Sequence, residues 1–213
     1  MGSDKIHHHH HHMKVKKWVT QDFPMVEESA TVRECLHRMR QYQTNECIVK
    51  DREGHFRGVV NKEDLLDLDL DSSVFNKVSL PDFFVHEEDN ITHALLLFLE
   101  HQEPYLPVVD EEMRLKGAVS LHDFLEALIE ALAMDVPGIR FSVLLEDKPG
   151  ELRKVVDALA LSNINILSVI TTRSGDGKRE VLIKVDAVDE GTLIKLFESL
   201  GIKIESIEKE EGF

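Results

Sequence analysis

Residues 105–123, from Tyr105 to Asp123, read YLPVVDEEMRLKGAVSLHD. Leu106-Pro107-Val108-Val109 is a short apolar run of strand type, and Asp110 to Arg114 is a polar turn. Leu115 to Val119, with Gly117 inside it, is a second strand. Ser120 and Asp123, three apart and followed by Phe124-Leu125, mark a helix N-terminus. The stretch has a copy 59 residues earlier. Asp51 aligns with Asp110, Gly58 with Gly117, Asn61 with Ser120 and Asp64 with Asp123. The frame runs without a gap from Val15 to about Leu68, pairing Val26 with Val85, Val32 with Ile91, Leu36 with Leu95, Met39 with Phe98 and Val49 with Val108. A repeat of this length is one supersecondary unit used twice.

Each copy reads strand, helix, strand, strand, helix. In the first, residues 23–26 form a strand, and Ser29 or Thr31 caps a helix with Val32, Cys35, Leu36 and Met39 on one face. Residues 47–49 and 56–60 are strands, and Asn61 opens a helix carrying Leu65 and Leu66. An acidic connection, LDLDSS at residues 68–73, leads to the second copy. There, residues 83–85 are a strand, and the helix at 91–100 holds five consecutive apolar residues, Leu95 to Leu99. Such a helix calls for cover on more than one side. The last helix, about 121–134, carries Phe124, Leu125, Leu128, Ile129 and Leu132. Cys35 and Cys47 fall on core positions and read as buried free thiols suited to a reducing cytoplasm.

LPVVD followed by Gly-x-x-Ser-x-x-Asp resembles the CBS motif, and two such motifs resemble a Bateman module. The resemblance implies an adenosyl ligand: AMP, ATP or S-adenosylmethionine. It implies that Asp123 holds ribose hydroxyls, that Ser120 assists a phosphate at the helix start, and that adenine lies against Phe83, Phe84, Tyr105 and Leu106. Asn61 and Asp64 are the equivalent pair in the first copy. That copy departs from the pattern, with Asn61 at the Ser/Thr position and Ile48 where Pro107 stands, so the second copy carries the fuller motif. The plain alternative for both pairs is a helix cap.

Pro137-Gly138 breaks the pattern. Beyond it the chain reads strand (from Ile139), helix (Leu152 to Leu159), strand (164–172), hairpin turn (174–177), strand (179–185), helix (189–200, with Asp189 as a cap) and strand (202–207). This βαββαβ order is a ferredoxin-like plait. With Asp-Lys-Pro-Gly-Glu-Leu and Ser-Asn-Ile-Asn-Ile it resembles an ACT domain, a regulatory unit. The resemblance implies an amino-acid site at Asp147, Pro149, Gly150, Asn163 and Asn165. Turn chemistry at Pro149-Gly150 and a left-handed helix end at Asn163 explain the same residues without a ligand.

The expected protein is therefore α+β: an expression tag at residues 1–12, one CBS motif at 13–73, a second at 74–136, and an ACT domain at 138–213. The arrangement is similar to regulatory proteins of the acetoin-utilisation type. The net charge of -15 is uneven. Residues 138–213 carry 11 basic and 14 acidic side chains, and the rest 14 and 26. This balance opposes nucleic acid and anionic membranes. An RNA-binding plait would further need aromatic residues on its central strands, and residues 179–185 have none. The native histidines, His37, His55, His86, His93, His101 and His122, show no metal-ligand spacing. No phosphate loop, dinucleotide fingerprint or nucleophile elbow occurs. The expected function is ligand sensing by a cytoplasmic homodimer that alters a protein partner, without catalysis, cofactor or metal. The alternative is a dimerisation module with empty sites.

Overall fold

The computed structural model describes residues 13–81, 83–186 and 188–213. The expected tag lies outside these. Two compact units divide the chain, the first ending at Ala127 and the second beginning at Leu128.

The first unit contains both repeats as far as Ala127, and the end of the helix that closes the second repeat belongs to the second unit. β1 (Met25–Glu27), α1 (Val32–Tyr42), β2 (Glu46–Lys50) and β3 (Phe56–Asn61) form the first. β4 (Val85–His86), α2 (Ile91–His101), β5 (Tyr105–Val109), β6 (Leu115–Ser120) and α3 (Leu121–Ala131) form the second. Their sheets, β1-β2-β3 and β4-β5-β6, share one topology, with a parallel first pair and an antiparallel second. The register repeats as well: Val26 faces Val49, and Val85 faces Val108. α1 begins at Thr31 with a complete capping box, Glu34 N–H donating to Thr31 Oγ1 and Thr31 N–H to Glu34 Oε2.

The helix expected after Asn61 is a single 3-10 turn, Lys62–Leu65, and Leu66 is exposed. Its counterpart α3 continues through Glu126, Ala127 and Glu130, strong helix formers. The first repeat instead runs Asp67, Asp69 and Asp71, and aspartate competes for its own backbone. The chain there turns back, so that Val32 N–H donates to Ser72 O.

The segment that leads into each repeat packs on the other repeat. Residues 13–20 join the second: Val15 N–H donates to Asp89 O, Ile91 N–H to Met13 O, and Thr20 bridges Ala118. Residues 72–79 join the first in the same way: Val74 N–H donates to Ala30 O, and Ser79 bridges Val59. Gly58 and Gly117 (φ +133° and +145°) admit these crossings, because a Cβ would strike Ser79 O at the first and Val19 Cγ1 at the second. The two hairpin turns meet at a pseudo-dyad, with Phe56 N–H donating to Met113 O and Leu115 N–H to Gly54 O, both at 2.8 Å. Phe23, Ile48, Phe56, Val59, Val109 and Ala118 form the core shared by the repeats. Both cysteines are buried and free.

The second unit has β7 (Gly138–Glu146), α4 (Glu151–Leu161), β8 (Ile166–Gly175), β9 (Lys178–Val185), α5 (Glu190–Ser199) and β10 (Ile204–Glu210). The antiparallel order β10-β7-β9-β8 is the ferredoxin-like plait. Ile139, Phe141, Val143 and Leu145 of β7 face Val155 and Leu159 of α4 and Leu193 and Phe197 of α5. Asp189 stands at the N-cap of α5 without a side-chain cap bond. On the other sheet face, Ser168 Oγ donates to Ala131 O, an Arg140 guanidinium N–H to Leu132 O, and Lys184 Nζ to Ala133 O and Val136 O. These donors satisfy carbonyls that the end of α3 leaves open.

Candidate functional site

Ser120 and Asp123 cap α3 reciprocally. Asp123 N–H donates to Ser120 Oγ at 2.9 Å, and Ser120 N–H to Asp123 Oδ2 at 3.4 Å. Tyr105 is the ladder partner of Ser120, and its ring meets the edge of Tyr42 at 5.9 Å. The Tyr42 hydroxyl donates to Asp22 Oδ1 at 2.6 Å, and that bond holds the Tyr42 phenol above its ordinary pKa. Burial, with the charges of Asp22 and Asp123, raises Tyr105. Leu106 is 1% exposed within the core of the second repeat, so its side chain is packing rather than site lining.

The equivalent end of the first repeat is different. Asn61 makes no side-chain cap. Among the described residues, no hydrogen bond or ion pair engages the Asn61 or Asp64 side chain. Both line a cleft of about 560 Å³ with Asn45, Lys62, Glu63, Leu66 and Glu103. Glu46, the ladder partner of Asn61, is 4% exposed. Its Oε1 lies 2.9 Å from His101 Nε2, and its Oε2 is buried without a hydrogen-bond partner among the described residues. Phe83 stacks on His101, ring centroids 3.2 Å apart. Burial, then the charge of Glu46, raises the Glu103 carboxyl.

The place of Phe83 and Phe84 in the second copy groups them with Ser120 and Asp123, but their side chains make other contacts. Phe83 instead connects through His101 and Glu46 to the Asn61 end. Phe84 packs on Phe56 in the shared core, ring centroids 5.7 Å apart. The reason is that the two repeats meet end to end, and an end is completed by residues from both copies. Sequence reading missed Asp22, Tyr42, Asn45, Glu46, His101 and Glu103. The repeat frame contained a pointer, since Glu46 and Tyr105 are 59 apart, as are Tyr42 and His101.

The five residues of the expected amino-acid site separate into two places. Gly150 (φ +88°) is the N-cap of α4, with Asp147 and Pro149 just before it. Asn163 (φ +55°) and Asn165 follow the other end. Eleven helical residues hold these ends about 16 Å apart. Asp147 pairs with Arg179 at 3.3 Å, while Asn163 and Asn165 line a groove of about 350 Å³ with Val156, Ala160, Ile164 and Ile166. One chain therefore does not assemble them into one pocket.

Ligand atoms of Asp51, Glu53 and His55 lie within 4.8 Å of one another, but the turn itself uses Asp51. It accepts from His55 N–H at 2.8 Å and lies 3.5 Å from Arg57 Nε. No helix among the described residues is long and apolar enough to cross a membrane.

The first unit is thus a tandem pair of one α/β module, and the second is a ferredoxin-like plait. The CBS-domain profile matches residues 15–71 and 76–130, and the ACT-domain profile matches 127–202. The chain belongs to the CBS-domain family, with two CBS domains followed by an ACT domain. It is 25% identical over 125 residues to an uncharacterized 17.7 kDa protein of Acidianus ambivalens, covering 57% of this chain and 76% of that one. It is 31% identical over 137 residues to the magnesium transporter MgtE of Thermus thermophilus, covering 58% of this chain but only 30% of the transporter. Among solved structures, protein MJ1004 of Methanocaldococcus jannaschii aligns with a TM-score of 0.51 at 17% identity, covering 70% of this chain and 68% of that one.

Proposed function

We propose that this chain is a regulatory sensor that binds an adenosyl compound (AMP, ATP or S-adenosylmethionine) in the cleft at Asn61 and Asp64. The observation that carries this reading is the cleft itself, lined by an amide and a carboxylate that, among the described residues, no hydrogen bond or ion pair engages. A carboxylate accepts both hydroxyls of a ribose. The cleft volume lies in the range of small-molecule sites. Asp123, by contrast, accepts the Ser120 N–H through Oδ2 at 3.4 Å as part of a cap. We read the chain as cytoplasmic and regulatory rather than catalytic, acting on a protein partner, with an amino acid as the ACT ligand. The separation of Gly150 from Asn163 means that an ACT site using both would need a second copy of the chain.

Calorimetric titration of adenosine, AMP, ATP and S-adenosylmethionine tests the main reading. Asp64→Ala removes charge-assisted hydrogen bonds and weakens binding about 10–150-fold, while Asp123→Ala leaves affinity near that of the wild type. The opposite pattern moves the ligand to Ser120 and Asp123. No binding by any adenosyl compound favours the dimerisation module with empty sites.

Self-association is the second part of the proposal. α2 and α3 leave Leu95, Leu96, Leu99, Leu121 and Leu125 between 44% and 73% exposed. The same positions in the first repeat hold Leu36, His37, Arg40, Lys62 and Leu66. The apolar surface thus belongs to the second repeat and suits a homodimer contact.

A further inference from the structure

We infer that the cleft at Asn61 and Asp64 selects adenosyl compounds with a cationic 5′ substituent, such as a sulfonium, over 5′-phosphates. The inference rests on the reading of that cleft as an adenosyl site. Its charge is the first reason. Glu63, Asp64 and Glu103 line it against a single cation, Lys62. Glu46 adjoins the cleft through the backbone: its chain neighbour Asn45 and its ladder partner Asn61 are both lining residues.

The second reason is the unsatisfied carboxylate oxygen. Glu46 Oε1 is engaged by His101, but Oε2 is buried and has no hydrogen-bond partner among the described residues. A buried carboxylate with an open acceptor is costly unless charge or a donor comes to it. The raised Glu103 carboxyl is consistent with this, since burial first and the neighbouring charge of Glu46 second disfavour a negative charge there. A cation here relieves both groups, and a phosphate dianion adds to the repulsion.

The third reason is the missing phosphate cradle. The element after Asn61 is a four-residue 3-10 turn, which cannot supply the aligned N–H groups of a long helix. Asn61 also stands where the second repeat has the hydroxyl of Ser120. The ribose-binding carboxylate is therefore present at this end without the groups that would hold a phosphate.

The test is calorimetric titration of the full chain with adenosine, AMP, S-adenosylhomocysteine and S-adenosylmethionine. The last two differ in the sulfonium charge and its methyl group. S-adenosylmethionine should bind at least 10-fold tighter than S-adenosylhomocysteine, and AMP should bind weaker than adenosine. Raising salt from 50 to 500 mM should shrink both margins. Glu103→Gln should cut the margin of S-adenosylmethionine over S-adenosylhomocysteine severalfold. Asp64→Ala should weaken all four ligands, adenosine included and S-adenosylmethionine most, and the loss of adenosine binding reports on the adenosyl reading itself. If adenosine binds through Asp64 but AMP equals or exceeds S-adenosylmethionine, the charge selection is wrong and the site stands. If none of the four binds, both fall.

Discussion

Lys184 Nζ lies 2.9 Å from Glu210 Oε1, and the lysine has no exposed surface. Its other two acceptors are the carbonyls of Ala133 and Val136, each at 2.6 Å. Two carbonyl hydrogen bonds and one ion pair thus compensate a buried cation, the condition under which such a charge is tolerated. Arg140 Nε approaches the other Glu210 oxygen at 2.9 Å. The polar face of the plait therefore holds the residues that follow α3.

Removing the carboxylate charge leaves Lys184 buried with only neutral acceptors. Glu210→Gln should destabilise the protein by about 3 kcal/mol at pH 7, the scale of breaking a buried pair. The bond from Arg140 is the main cause that depresses the Glu210 pKa, and Lys184 adds to it against the opposing effect of burial. A depressed carboxylate stabilises above its unfolded value, near 4.3, and that stability is lost as pH falls through the lower folded value. Calorimetric unfolding should show a gap between wild type and variant at pH 7 that closes in the acid range below 4. A gap independent of pH would mean that the charge plays no part.

Gly58 and Gly54 both have positive φ, yet they should respond differently to a methyl group. At Gly54 a Cβ meets nothing within 4 Å, so Gly54→Ala adds only backbone strain, about 1–2 kcal/mol. At Gly58 a Cβ strikes Ser79 O, whose bonds with Val59 (2.8 and 3.0 Å) tie the crossing segment down. Gly58→Ala should therefore cost those bonds as well, roughly 3 kcal/mol in total. Denaturant midpoints with equal m-values measure the difference, and equal losses at the two sites would refute the crossing.

The exposed leucines give a test of assembly. Leu96→Glu with Leu99→Glu should convert a homodimer to a monomer in light scattering at micromolar concentration, with little change in the melting of the monomer. His37→Glu with Arg40→Glu, at the matching positions of the first repeat, should leave the mass unchanged. A wild-type monomer, or a loss of mass from the first-repeat variant alone, would remove the second repeat as the contact.

Much of this architecture is local and was readable along the chain. Alternation at Ile139, Phe141, Val143 and Leu145 announced β7, and spacing at Val32, Cys35 and Met39 announced α1, because period follows from backbone geometry. The 59-residue frame carried the repeat, its shared register and both ladder partners of the capping positions. The short 3-10 turn after Asn61 was not read, although the alternating aspartates that limit it are visible in the sequence.

Other features depended on segments far apart in the chain. That residues 13–20 pack on the second repeat and 72–79 on the first follows from which glycine leaves room for which strand, a matter of close approach rather than composition. The meeting of Glu46 with His101, and through it Phe83 with the Asn61 end, exists only because the two repeats face each other about a pseudo-dyad. Lys184 looks from its sequence like a surface residue on an exposed strand face, and it is buried because the chain after α3 returns across that face. Burial and partnership are properties of the packed chain, so periodicity named the elements while tertiary contacts chose the partners.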